Sequence, residues 1–366
     1  MLNRTAIRST GRRLLAVGSI ATLAAIGLVG CSPATGGDSG SDKVGVALIV
    51  KTNSNPFFIA MQDGAKKAAD AAGVTLTLAA GKEDGDEDTQ VTAIEDAVAR
   101  GDQGILITPN GPGVLDAIAK ARDAGVYVIA LDTAPDPADA VDITFATDNR
   151  LAGQLIGQWA AGQLDGKKAT IALIDNFDDK IVSVDYNRDQ GFLEGLGVDV
   201  AEKNTNGDEA PTGKYTGGKG GDYEIVGNEA SGGAEDGGLA AMETLLSKNP
   251  NINVVYTINE PAAYGAYQAL QAAGKTDGVL IVSVDGGCAG VKNVTDGVIG
   301  ATSQQYPVKM ADLGVKAIVD LVKNGTKPAV TDGLDFFNTG VALVTDKPVT
   351  GVDSIDTKEA SGICWG

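Results

Sequence analysis

From Lys43 to the end of the chain, short apolar runs alternate with longer amphipathic stretches. The apolar runs predict strands over Val44–Val50, Val74–Ala79, Gly104–Thr108, Tyr127–Leu131 and Asp142–Ala146, then Ala169–Ile174, Asn253–Thr257, Leu280–Val284 and Gly300–Thr302. Helical spacing of apolar positions predicts helices over Pro56–Ala72, Asp88–Arg100, Gly113–Ala124, Arg150–Leu164, Leu239–Lys248, Ala262–Ala273 and Val308–Lys323. This βαβ rhythm implies an α/β protein with parallel sheets, right-handed crossovers and helices on both faces. Asn204–Gly238 breaks the rhythm with Gly-Gly pairs around one short apolar stretch, Tyr223–Val226. It reads as a long surface loop around an edge strand, with a lid over a ligand as the functional alternative.

The polar residues that end the apolar runs carry the functional signal. The first run leads into Lys51-Thr52-Asn53-Ser54-Asn55-Pro56-Phe57-Phe58, where Pro56 suits the first position of a helix that opens on two aromatics. Ligands of parallel α/β sheets bind outside the carboxyl ends of the strands, so amides and flat rings placed there face a crevice. Thr108, Asp132-Thr133, Asp148-Asn149, Asn259-Glu260, Asp285 and Gln304-Gln305 occupy the corresponding places later in the chain. Planar acceptors and donors of this kind suit vicinal hydroxyls, and aromatic rings cover the C–H face of a sugar. Each of these residues equally suits a helix cap, and Asp148 and Asn149 fit that role best. Asp132 and Asp285 each end an apolar strand, where a carboxylate needs a partner. Arg188 sits near the start of a helix, against the macrodipole, so an acid or a ligand hydroxyl should hold it; solvent exposure is the alternative.

At the N-terminus, Arg4, Arg8, Arg12 and Arg13 precede the apolar stretch Leu14–Val29 and then Leu28-Val29-Gly30-Cys31, the layout of an export signal. Leu28-Val29-Gly30-Cys31 resembles the lipobox of bacterial lipoproteins, which implies that Cys31 carries lipid and that Ser32–Asp42 is a tether. Removing the four arginines takes the net charge from −19 to −23, which disfavours nucleic acid as a partner. The chain contains no histidine, excluding His-based triads and His-ligated zinc. Cys288 and Cys364 remain, an even pair that in an exported protein reads as a disulfide, two free buried thiols being the alternative. Asp84, Asp86, Asp88 and Glu95 have the carboxylate spacing of a calcium loop, but Thr89 stands where that loop needs glycine, and leading acids also favour a helix start. No dinucleotide or nucleotide-phosphate fingerprint is present, and no cofactor or metal is expected.

These motifs in this order resemble the type I periplasmic sugar-binding proteins of ABC importers, the ribose- and galactose-binding family, over Lys43 to Lys347, with the fructose-binding branch most similar. The resemblance rests on Lys51 to Phe58, Gly104 to Pro109, Ala130 to Thr133, Phe145 to Asn149, Val254 to Pro261 and Cys364-Trp365-Gly366. It implies Asn55, Phe57, Phe58, Asp132, Arg188, Asn259, Asp285 and Gln305 as sugar contacts, and it places Thr108 and Thr133 where a ribose binder has asparagine and arginine. Those two departures argue against ribose. Lys51 is a further candidate contact. The resemblance also implies two Rossmann-like lobes joined by crossings near Thr147, Gln305 and Leu334. Signal peptide 1–30 and tether 31–42 would then precede one lobe of 43–147 with 306–334 and another of 148–305 with 335–366.

The expectation is therefore a monomeric, outward-facing binding protein, lipid-anchored to the cell membrane. It takes a monosaccharide, fructose first, with ribose, xylose, galactose or inositol as alternatives, and delivers it to an ABC permease without transforming it. A glycosidase using Asp132 and Asp285 is the competing enzyme reading. Sugar-responsive repressors share the fold, but a DNA-binding helix-turn-helix would have to replace the signal.

Overall fold

A computed structural model describes residues 43–366. Cys31, with the expected signal and tether, lies outside the described residues. Among those residues no helix is long and apolar enough to cross a membrane.

The first sheet is built from β1 (Gly45–Val50), β2 (Thr75–Ala80), β3 (Gly104–Ile107), β4 (Tyr127–Leu131) and β5 (Ile143–Ala146). A short late strand, β12 (Phe337–Asn338), completes it, and the order is β12-β5-β4-β3-β1-β2, all parallel. The near-continuous apolar runs follow from burial on both faces. Along β1, Val46, Leu48 and Val50 pack toward α1 (Pro56–Ala72) and α9 (Pro307–Asn324), while Ala47 and Ile49 pack toward α2 (Glu87–Arg100) and α3 (Leu115–Asp123).

The second sheet repeats the plan with β6 (Ala169–Asp175), β8 (Gly221–Ala230), β9 (Val254–Thr257), β10 (Leu280–Asp285) and β11 (Ala301–Gln304). Antiparallel strands β7 (Thr212–Tyr215) and β13 (Ala342–Val344) finish its edges, giving the order β13-β11-β10-β9-β6-β8-β7. Ile171 and Leu173 of β6 face α4 (Asn149–Leu164) and α5 (Ser183–Leu196), whereas Ala172 and Ile174 face α6 (Glu235–Lys248) and α7 (Glu260–Ala272). Two short helices, α8 (Cys288–Thr295) and α10 (Thr357–Ala360), pack together at the end of the chain.

The chain passes between the sheets from β5 to α4, from β11 to α9 and from β12 to β13. The third passage comes later than Leu334, because Phe337 and Asn338 still pair with Phe145 and Ala146. The expected loop Asn204–Gly238 instead contains the β7–β8 hairpin, with the ten-residue β8 pairing with β6 over Tyr223–Ala230 and α6 starting at Glu235. A register shift at Ile171/Ala172 and only one well-buried side chain in β8, Tyr223, account for the faint apolar signal.

Candidate functional site

In each sheet the strand order reverses beside the first strand of its lobe: between β1 and β3, and between β6 and β9. A crevice opens there, outside the carboxyl ends of the strands. The two crevices face each other, and one cavity lies between them, lined by Lys51, Asn55, Phe57, Phe58, Asp84 and Asp132 from the first lobe. Asn176, Val184, Arg188, Ile258, Asn259, Asp285 and Gln305 line it from the second. Nine of the eleven residues expected from the sequence meet at this cavity. The exceptions are Thr108 and Thr133. Thr108 is fully buried at the end of β3, its carbonyl held by Gln90 Nε2 at 2.8 Å, and the Thr133 hydroxyl is directed to Asp132 Oδ2 at 2.9 Å.

Local structure explains the aromatic wall. Asn55 caps α1, its Oδ1 accepting from Phe57 N at 2.9 Å, and Pro56 takes the first helical position. The first helical turn then carries Phe57 and Phe58 to the cavity, with the rings edge-to-face at 5.3 Å. Asn259 likewise caps α7, Oδ1 accepting from Ala262 N at 3.1 Å, while its Nδ2 donates to Gly233 O at 2.9 Å. The same residues therefore serve as caps and as cavity lining.

Arg188 is buried and anchors the polar side. Its guanidinium donates to Asn149 Oδ1 at 2.8 Å, Ile258 O at 3.0 Å, Gln305 Oε1 at 3.3 Å and Asp132 Oδ1 at 3.5 Å. Gln305 Nε2 in turn donates to Asp285 Oδ1 at 2.8 Å. One network thus joins the carboxylates of the two lobes and accounts for the buried cation, which lies in the second turn of α5, not at its start as the sequence suggested. Asn149 belongs to this network, bonding Arg188 and the carbonyls of Asp132 and Thr147, and not to a cap; Asp148 is the cap of α4, accepting from Leu151 N at 3.0 Å.

Both carboxylates sit on unusual backbone, Asp132 at φ 63° and Asp285 at φ 153°, a cost of about 1–3 kcal/mol each that concentrates at functional positions. Burial raises Asp285 to about 6 even though Arg188 opposes the shift. Behind it, burial and the charge of Asp285 push Glu260 up to about 8, against donation from Thr302 and the N–H groups of Gly286 and Gly287.

Four cavity residues escaped the sequence reading: the apolar Val184 and Ile258, and the polar Asp84 and Asn176. Asp84 pairs with the buried Lys51 ammonium at 3.8 Å and has a buried Oδ1 without a hydrogen-bond partner. Burial raises its pKa despite Lys51. Asn176, whose buried Oδ1 is also unpartnered, follows directly on β6, so the strand-end pattern that marked Asp132 and Asp285 pointed to it as well. Asp84 lies in a turn whose acids suggested calcium. Its neighbour Asp86 caps α2 through Thr89 N at 3.1 Å, and among the described residues no three acidic or cysteine side chains gather as a metal site. Cys288 and Cys364 are joined in a disulfide.

Residues 46–327 match the family described as the periplasmic binding protein domain. The ribose import binding protein of Salmonella typhimurium is 30% identical over 283 residues, 77% of this chain and 86% of the relative. The D-allose-binding periplasmic protein of Escherichia coli is 27% identical over 286 residues, 76% of this chain and 85% of the relative. Among solved structures, an ABC transporter solute binding protein from Agrobacterium vitis with bound D-fucose superposes with a TM-score of 0.71 at 25% identity, covering 88% of this chain and all of its own.

Proposed function

Because the chain belongs to the periplasmic binding proteins, as a type I sugar-binding protein of ABC importers, we propose that it captures one monosaccharide between its lobes and presents it to an ABC permease. The observation that carries this reading is the cavity between the lobes. One wall is the Phe57–Phe58 pair, suited to the C–H face of a ring, and the rest is a set of planar acceptors and donors on both lobes. Each sugar hydroxyl needs one donor and one acceptor, and the Asp132–Arg188–Gln305–Asp285 network supplies both in fixed orientation.

Within that class we favour a hexose, fructose first. The long polar residues of a ribose binder are Thr108 and Thr133 here, neither of which lines the cavity, while Lys51, Asp84 and Asn176 add polar contacts suited to a ligand with more hydroxyls than a pentose. The lipobox at Cys31 supports an anchor that holds the protein at the outer face of the membrane as a monomer. Binding requires no activated nucleophile, so the sugar leaves unchanged.

Calorimetry with D-fructose, D-ribose, D-allose, D-galactose, D-xylose and myo-inositol tests the assignment. Tightest binding of D-fructose is expected, with each sugar recovered intact. Hydrolysis of glycosides by the protein would replace this reading with the glycosidase one, and binding of none of the six would remove it.

A further inference from the structure

Phe57 lines the cavity, so its ring needs support from behind. Phe58 supplies one edge, and the other comes from the far end of the chain: Trp365 stands edge-on to Phe57 with ring centroids 5.4 Å apart. This indole is buried within the apolar cluster of the first lobe. Its backbone belongs to the second. The Trp365 carbonyl accepts from Cys288 N at 2.9 Å, and the adjoining Cys364 is bonded to Cys288 at the start of α8. The ring packs so closely over Gly287 that a Cβ there would lie 3.3 Å from it. Its Nε1–H donates to the carbonyl of Gln305 at 2.8 Å, between β11 and α9, where the chain crosses from one lobe to the other. The side chain of that same Gln305 reaches Arg188 and Asp285 in the cavity.

We propose that Trp365 is a positioning residue for the sugar site, and that the Cys288–Cys364 disulfide holds it in place. A single indole backs the aromatic wall and fixes the backbone of the amide that links the two polar walls. Tying the tail to α8 removes most of its freedom before ligand arrives, so little ordering remains to be done on binding. The bond thus contributes to sugar affinity although neither sulfur touches the cavity. This inference rests on the sugar-binding reading above.

Trp365→Phe, Trp365→Ala and the double variant Cys288→Ser/Cys364→Ser, each compared with the full chain by stopped-flow and calorimetry with D-fructose and D-allose, test it. Trp365→Ala should weaken binding about tenfold, mostly through faster dissociation. Trp365→Phe keeps an edge for Phe57 but loses the N–H, and should recover part of that loss. The double serine variant should fall between Trp365→Ala and wild type, and treating wild type with dithiothreitol should reproduce it. In that reaction the dithiol gives two electrons and two protons to the disulfide, yielding two thiols and a cyclic disulfide. Leu245→Ala, in the second-lobe core beside α7, separates affinity from mere stability: it should lower the melting temperature and leave dissociation unchanged. Wild-type dissociation rates in both Trp365→Ala and the serine variant overturn the inference, as does equal weakening in Leu245→Ala. A wild type that binds neither these sugars nor the others named above overturns the sugar-binding reading first, and this one with it.

Discussion

At the scale of single residues, the site keeps carboxylates where the backbone resists them. Asp132 occupies left-handed φ at the end of β4, a conformation that glycine adopts without cost. Asp132→Gly relieves that strain but leaves the buried Arg188 guanidinium without its carboxylate, so the two effects oppose and the melting temperature should change little, while sugar affinity falls by about 1.5–3 kcal/mol, the scale of a hydrogen bond to a charged group. Calorimetry and a thermal melt on the same variant check both halves, and unchanged affinity would make Asp132 a structural residue. Glu260 gives a signature in pH. Its folded value near 8 lies above the ordinary 4.5, so between those values the native protein holds a proton that the unfolded chain releases. Its stabilising contribution is complete below pH 4.5 and is lost as pH rises through 8. Asp285 and Asp185, raised to about 6, follow the same sign at lower pH, and Asp175 and Asp189, which burial raises well above the ordinary carboxylate value, share it, so across the window from 6.5 to 8.5 it is the comparison with Glu260→Gln that isolates Glu260. The melting temperature should fall across that window in wild type and stay flatter in Glu260→Gln; parallel slopes would refute the assignment.

At the scale of elements, Arg188 is placed by the contact between α4 and α5. A Cβ on Gly153 would stand 2.2 Å from the Arg188 carbonyl, and one on Gly191 would stand 2.3 Å from the carbonyl of Arg150. The helices touch backbone to backbone, and the guanidinium enters the cavity from that contact. Gly153→Ala should push α5 outward, costing about 1–3 kcal/mol of stability by overpacking and weakening sugar binding as Arg188 shifts. A denaturant melt paired with calorimetry checks it, and wild-type affinity would show that α5 can adjust without moving Arg188. The elements also mark what the sequence made readable. The strands of both sheets were legible because burial on two faces writes unbroken apolar runs, as in β1 and β6. The hairpin strand β7, the two-residue strand β12, the three-residue edge strand β13, and α8 and α10 were not, because short or edge elements bury too little to leave a period. At the site, Asn55, Asp132, Asn259 and Asp285 stood out as strand-end residues. The role of Asn149 and the burial of Thr108 depend on partners distant in the chain, which no local pattern encodes.

At the scale of the whole molecule, a handful of polar contacts joins the lobes beside the Trp365–Phe57 packing. Lys180 Nζ of the second lobe donates to Gly85 O of the first at 3.2 Å, and Ser183 Oγ donates to Ala134 O at 2.6 Å, alongside the Arg188–Asp132 pair and the Asn149 bond to the Asp132 carbonyl. So small a set suits lobes that part to admit ligand and meet again around it. Lys180→Ala removes one of these contacts without touching the cavity lining. Sugar affinity should drop about threefold to tenfold, and solution scattering should show a larger radius of gyration for the ligand-free variant than for wild type. Identical scattering and affinity would mean that Lys180 does not hold the lobes together.

The three passages of chain between the sheets, at β5–α4, β11–α9 and β12–β13, have a mechanical consequence. Two bodies joined by one thread can swivel and twist in any direction. Joined by three, they are left with a single easy rotation, because every other movement stretches at least one strap. The state of such a molecule is described by one angle, so whatever receives the sugar has only to distinguish a narrow wedge from a wide one.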